Sequence, residues 1–90
     1  MKATRVLYEG KVQGVGFRWN TRKIAQGYDV TGMVKNLPDG RVELHVGGDA
    51  DEVKAFLQDI RDSGLAGHIA SELVEDVTVP TSFKGFQIVE

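Results

Sequence analysis

The chain contains no cysteine in 90 residues. That excludes a disulfide framework, a thiolate zinc site and a thiol nucleophile. Proline is scarce, with two residues, so no proline-rich linker divides the chain. No apolar run approaches the ~18 residues of a spanning helix. Met1 leads directly into Lys2-Ala3-Thr4-Arg5, without the apolar core of a secretory signal. Residues 1–90 are therefore expected to form one soluble, cytoplasmic domain. A domain this small buries ~60–70% of its unfolded surface, enough for one core without staples.

Charge is present but unevenly spread. The net charge is −2. Residues 1–48 carry eight Lys and Arg against four Asp and Glu, whereas residues 49–90 carry three against nine. A basic half joined to an acidic half suggests an anionic ligand on the first half. Chance gives the same split about as often in a small domain.

Residues 3–9 alternate as a strand, with Thr4, Val6 and Tyr8 on one face. Gly10-Lys11-Val12-Gln13-Gly14-Val15-Gly16 is too rich in glycine for a regular element. Phe17, Thr21, Ile24 and Ala25 recur at helical spacing over 17–26, and Gly27 ends the helix. A second strand spans 30–36. Leu37-Pro38-Asp39-Gly40 turns it into a third, where Val42, Leu44 and Val46 alternate with Glu43 and His45. Asp49 and Glu52 resemble a capping box before a second helix, whose stripe is Val53, Phe56, Leu57 and Ile60. Residues 65–70 read as a loop. A fourth strand covers 73–79, Pro80-Thr81-Ser82 is a break, and a short strand covers 85–89. The expected core is Val6, Tyr8, Phe17, Ile24, Val34, Val42, Leu44, Val46, Val53, Phe56, Leu57 and Ile60. The order βαββαβ plus a C-terminal strand predicts an α+β, ferredoxin-like sandwich: an antiparallel sheet with both helices on one face.

This order has a geometric consequence. A helix crossover makes strands one and two parallel, and the hairpin makes strand three antiparallel between them. The C-terminal ends of strands one and two then lie at one end of the sheet, roughly 10 Å apart. The Gly10–Gly16 loop, Arg18 and Asn36 are predicted to converge there.

The amides of a glycine-rich loop entering a helix N-terminus can hold an anion. The loop has neither the Gly-Lys-Ser/Thr of a Walker loop nor the third glycine of a dinucleotide fingerprint. Glycines for plain tight turns explain it equally well. Arg18 is a stronger signal, because a cation in the first helical turn opposes the helix dipole. An anion between Arg18 and the loop would resolve that conflict, and guanidinium binds phosphate oxygens in pairs. Asn36 suits a strand end, yet its neutral amide could also hold a water. His45, expected on the solvent face, and His68, in a loop, have no paired acid and read as surface residues. Asp49, Asp51 and Glu52 read as helix capping, not a metal cluster. Trp19 lies off the apolar stripe, at the rim of the site or packed on the surface.

Taken together, Gly10-Lys11-Val12-Gln13-Gly14-Val15-Gly16-Phe17-Arg18, Gly32-Met33-Val34-Lys35-Asn36, Asp39-Gly40-Arg41-Val42-Glu43 and Phe83-Lys84-Gly85-Phe86-Gln87-Ile88 resemble an acylphosphatase. The family commonly has Trp at the position of Met33. The resemblance implies the ferredoxin-like fold and hydrolysis of the carboxyl–phosphate anhydride of acyl phosphates, with no cofactor and no metal. It implies Arg18 and Asn36 as catalytic residues. It implies main-chain phosphate binding by Gly10, Lys11, Val12, Gln13, Gly14, Val15 and Gly16. The expected partners are a small acyl phosphate and inorganic phosphate, with no nucleic acid, no membrane and a monomeric chain. An RNA-recognition module shares the topology, but Arg5, Leu7, Glu9, Glu43 and His45 give the open sheet face no aromatic residue. A regulatory domain that binds phosphate without hydrolysis is the third reading.

Overall fold

The computed structural model describes residues 2–79 and 83–90. The elements are β1 (Lys2–Gly10), α1 (Phe17–Ala25), β2 (Val30–Asn36), β3 (Val42–Gly48), α2 (Ala50–Asp62), a 3-10 turn (Gly64–His68), β4 (Ile69–Thr78) and β5 (Phe86–Val89). They form one sheet in the order β4-β1-β3-β2-β5. β3 lies between β1 and β2, antiparallel to both. β4 pairs antiparallel with the far edge of β1. β5 pairs parallel with β2, so the sheet is mixed and not antiparallel throughout. β4 ends opposite Lys2, where β1 begins. A strand that follows it onto the β2 edge has to ascend in the direction of β2.

The core lies between the sheet and the two helices. Val6, Tyr8, Val34, Val42, Leu44 and Val46 supply the sheet side, and Phe17, Phe56, Leu57 and Ile60 the helix side; all are buried. Alternation at period two and recurrence at three and four put these side chains on facing surfaces. Ile24 is only half-buried, packed at the margin of this cluster. α1 instead turns Phe17, Thr21 and Ala25 inward. The Phe17 ring lies 5.0 Å from that of Tyr8, which ties the start of α1 to the end of β1.

The Asp49 carboxylate accepts from the Asp51 and Glu52 amides, at 2.9 and 3.4 Å, and so caps α2. Glu52 does not fold back to complete a capping box. Its carboxylate accepts from the Asp29 amide at 2.9 Å, joining the α2 N-terminus to the entry of β2. The expected loop at 65–70 is a 3-10 turn, pinned by buried Leu65, and β4 begins at Ile69. The Ser63 hydroxyl accepts from the Leu65 amide at 3.1 Å and starts this turn. Leu73 and Val74 are both exposed, since β4 is an edge strand; this accounts for the broken alternation there. The expected break at 80–82 lies outside the described residues.

The sheet face away from the helices is not open. Ala3, Leu7 and Glu43 are buried. His45 does not face solvent: Phe83 meets its ring edge-on at 6.1 Å. Glu43 is the hub of this face. It accepts from Arg5 Nε at 2.7 Å, with Lys35 Nζ at 3.6 Å and His45 Nε2 at 3.7 Å. Burial alone would raise its carboxyl; the Arg5 hydrogen bond and the charges of His45, Arg5 and Lys35 outweigh that and hold it below the ordinary carboxylate value.

A depressed carboxyl stabilises the fold above its unfolded pKa, about 4.5, and that contribution is lost as pH falls through the lower folded value. Glu43→Gln should therefore be less stable than the parent chain at neutral pH. The gap should close as pH falls below about 4.5 and through the lower folded value, read in urea titrations. Backbone conformation gives a second expectation. Gly10 has φ +128°, and a Cβ there would collide with the His68 carbonyl oxygen. Gly14 has φ +79° but open space around it. Gly10→Ala should lose roughly 3 kcal/mol and Gly14→Ala about 1 kcal/mol, read from urea midpoints.

Candidate active site

The loop between β1 and α1 has ordered ends and an uncommitted middle. At one end Gly10 shifts the β1–β4 register. At the other, Phe17 is buried against Tyr8. Val12 is fully buried and pins the loop from below. Gly14 and Gly16 take left-handed conformations, with φ +79° and +76°, which only glycine adopts without strain. Such turns direct successive N–H groups to one side and form an anion-binding concavity. Among the described residues, the amides of residues 11–16 find no acceptor. Gly16 serves as the N-cap of α1 without a side-chain cap, and the first turn of α1 holds no acid. The helix therefore presents its free amides and its positive dipole end at the loop.

Arg18, in that first turn, is part-buried, with its side chain 29% exposed. Its Nη1 donates to the Val89 carbonyl at a long 3.4 Å and lies 3.7 Å from the Glu90 carboxylate. Glu90 is itself 91% exposed, so water screens that attraction. A guanidinium carries five donors, and most of Arg18's have no partner among the described residues. Asn36 closes β2, where it pairs in register with Val42. Its side-chain amide has no hydrogen-bond partner among the described residues.

Gly14, Gly16, Arg18 and Asn36 line one cavity of about 250 Å3. Val12 and Phe17 form its apolar lining from the core side, Ile88 and Glu90 line it from the C-terminal end, and Trp19 lines it while remaining 58% exposed. Lys11 is exposed, and Val15 stands at the loop tip. His45 and His68 do not line the cavity. Among the described residues, no group of three His, Cys, Asp or Glu is placed to hold a metal ion. Asp49, Asp51 and Glu52 serve the α2 N-terminus instead.

Two features escaped the sequence reading. One is the side chain of Gln13. Its Nε2 donates to the Leu37 carbonyl at 2.8 Å and to the Arg41 carbonyl at 2.9 Å. The loop is thereby clamped to the hairpin turn next to Asn36. Only its place among the glycines singled out Gln13 in the sequence. The other is the C-terminal end, where Val89 of β5 and Glu90 just after it face Arg18. No local pattern announces that contact across 71 residues.

Known proteins resemble this chain in sequence and in fold. The acylphosphatase family profile matches residues 4–88. An acylphosphatase of Thermotoga maritima is 39% identical over 88 residues, covering 98% of this chain and 97% of that protein. One of Lactobacillus gasseri is 39% identical over 90 residues, covering 99% of each. The crystal structure of an acylphosphatase from Bacillus subtilis superimposes with a TM-score of 0.87 over the full length of both chains, at 29% identity. In fold, in sequence along nearly its whole length, and in the match to the family profile, this chain belongs to the acylphosphatase family of enzymes, which hydrolyse acyl phosphates.

Proposed function

We propose that the cavity holds the phosphoryl group of an acyl phosphate and that hydrolysis proceeds by direct attack of water on phosphorus. The observation that carries this reading is the convergence on one cavity of Gly14 and Gly16, Arg18 and Asn36, whose loop and side-chain amides have no hydrogen-bond partner among the described residues. The main chain of Gly10–Gly16 and the α1 N-terminus receive phosphate oxygens as hydrogen-bond donors. Arg18 adds a full positive charge and a two-pronged donor. Asn36 accepts a hydrogen bond from the attacking water and orients it in line with the scissile P–O bond.

The bookkeeping of the reaction suits so sparse a site. Water oxygen bonds to phosphorus as the anhydride P–O bond breaks. The bonding pair leaves on the carboxylate, and the protons of the water leave on inorganic phosphate. A carboxylate is a weak base, so departure requires no general acid. Catalysis is then positioning together with stabilisation of the charge on the transferring group. A reactive anhydride is within reach of those two effects, whereas a phosphate monoester is far more inert. The same reading needs no nucleic acid and no second chain, and it places the activity on a monomer.

Phosphate release from acetyl or benzoyl phosphate in the presence of EDTA tests the proposal. Arg18→Ala is expected to raise KM and to lower kcat by about 10²-fold or more, and Asn36→Ala to lower kcat by a similar factor with KM nearly unchanged. Activity abolished by EDTA, or retained in both variants, would overturn it. Gln13 acts as a positioning residue. Gln13→Glu sets a carboxylate against two carbonyl oxygens, so it should lose about 10-fold or more in kcat/KM. Gln13→Asn, too short to reach both carbonyls, should fall between it and the parent.

A further inference from the structure

We propose that Trp19 forms an apolar ledge at the mouth of this cavity that selects acyl phosphates with aromatic or bulky apolar acyl groups over acetyl-sized ones. The proposal rests on the phosphoryl site described above and deepens it. The cavity measures about 250 Å3, below the roughly 300–1,000 Å3 of sites that engulf a drug-sized ligand. With the phosphoryl group at the loop amides and Arg18, a large acyl group has to leave through the mouth. What lines the mouth then decides which acyl groups are held.

Four large hydrophobic residues are exposed among the described residues: Val15, Trp19, Leu73 and Val74. Leu73 and Val74 are neighbours on the edge strand β4, where exposure follows from the lack of a covering element. Trp19 borders the cavity, whereas Val15 is not part of its lining. Trp19 lines it yet is 58% exposed, so the residue spans inside and outside. Val15 stands between Gly14 and Gly16, both of which line it. Neither residue belongs to the core cluster, so folding does not account for their apolar character.

The indole also has a cationic neighbour. Lys23 Nζ, one turn further along α1, lies 5.2 Å from the centre of its ring, within cation–π range. An aromatic ring offers contact area at a low cost in conformational entropy. An aryl acyl group stacked or set edge-on against it gains attraction that a methyl group does not.

The test compares benzoyl phosphate with acetyl phosphate in the parent chain and in Trp19→Ala. The parent should prefer benzoyl phosphate in kcat/KM. The variant should lose about tenfold of that preference, mainly through KM for benzoyl phosphate. An unchanged ratio, or an equal loss for both substrates, overturns the ledge while leaving the phosphoryl site standing. Trp19 is the one tryptophan in the chain, so its fluorescence reports binding without turnover. Benzylphosphonate should bind about tenfold more tightly than methylphosphonate and shift the emission; equal affinities overturn the ledge. If neither acyl phosphate is hydrolysed, the catalytic reading fails, and this titration still decides the ledge.

Discussion

Strand β3 is the constraint on which the rest of the molecule depends. Its insertion between β1 and β2 makes those two strands parallel neighbours-but-one, and every position of the site inherits that spacing. Val42, Leu44 and Val46 are fully buried on its inner face. A slip of one residue would turn them outward and put charged Glu43 into the core. The same slip would carry Asn36 away from Val42, its partner in the ladder. Core packing and site geometry are therefore held by one register.

The loop after β1 shows how a fold keeps polar groups uncommitted. Backbone amides in a fold are ordinarily paired, and here the amides of six consecutive residues, 11–16, have no partner among the described residues. The anchors lie elsewhere: Val12 in the core, Phe17 against Tyr8, and the Gln13 amide on the carbonyls of Leu37 and Arg41. Rigidity comes from side chains, which leaves the backbone donors available. Arg18 completes the pattern. A cation beside the positive end of a helix is unfavourable by itself and becomes favourable once an anion lies between them.

Much of this was legible in the residue order. Alternation placed Val34 in the core and Asn36 on the same side of β2; Pro38-Asp39-Gly40 located the hairpin; the position of Arg18 in α1 marked an electrostatic conflict. Other parts were not legible, each for a physical reason. The direction of β5 depends on which edge of the sheet is vacant. The burial of Leu7 and Glu43 depends on what covers the outer face, and His45 meets Phe83 there. Ile24 follows the helical stripe, yet the rotation of α1 on the sheet leaves it at the margin. Glu52 had two acceptable donors within reach, and the nearness of β2 gave it Asp29.

Local periodicity and turn chemistry were sufficient for the two helices, the first three strands, their order and the end of the sheet at which loop, Arg18 and Asn36 would meet. Those features rest on interactions between residues close in sequence and on the small number of ways to interleave two βαβ units. Tertiary structure alone decided the Gln13 clamp, the wall that Ile88 and Glu90 add to the cavity, and the exposure of Trp19 at its mouth. Each depends on how segments distant along the chain are placed against one another, set by side-chain reach and by the packing angle of α1 on the sheet, and neither quantity is encoded in any single stretch of sequence.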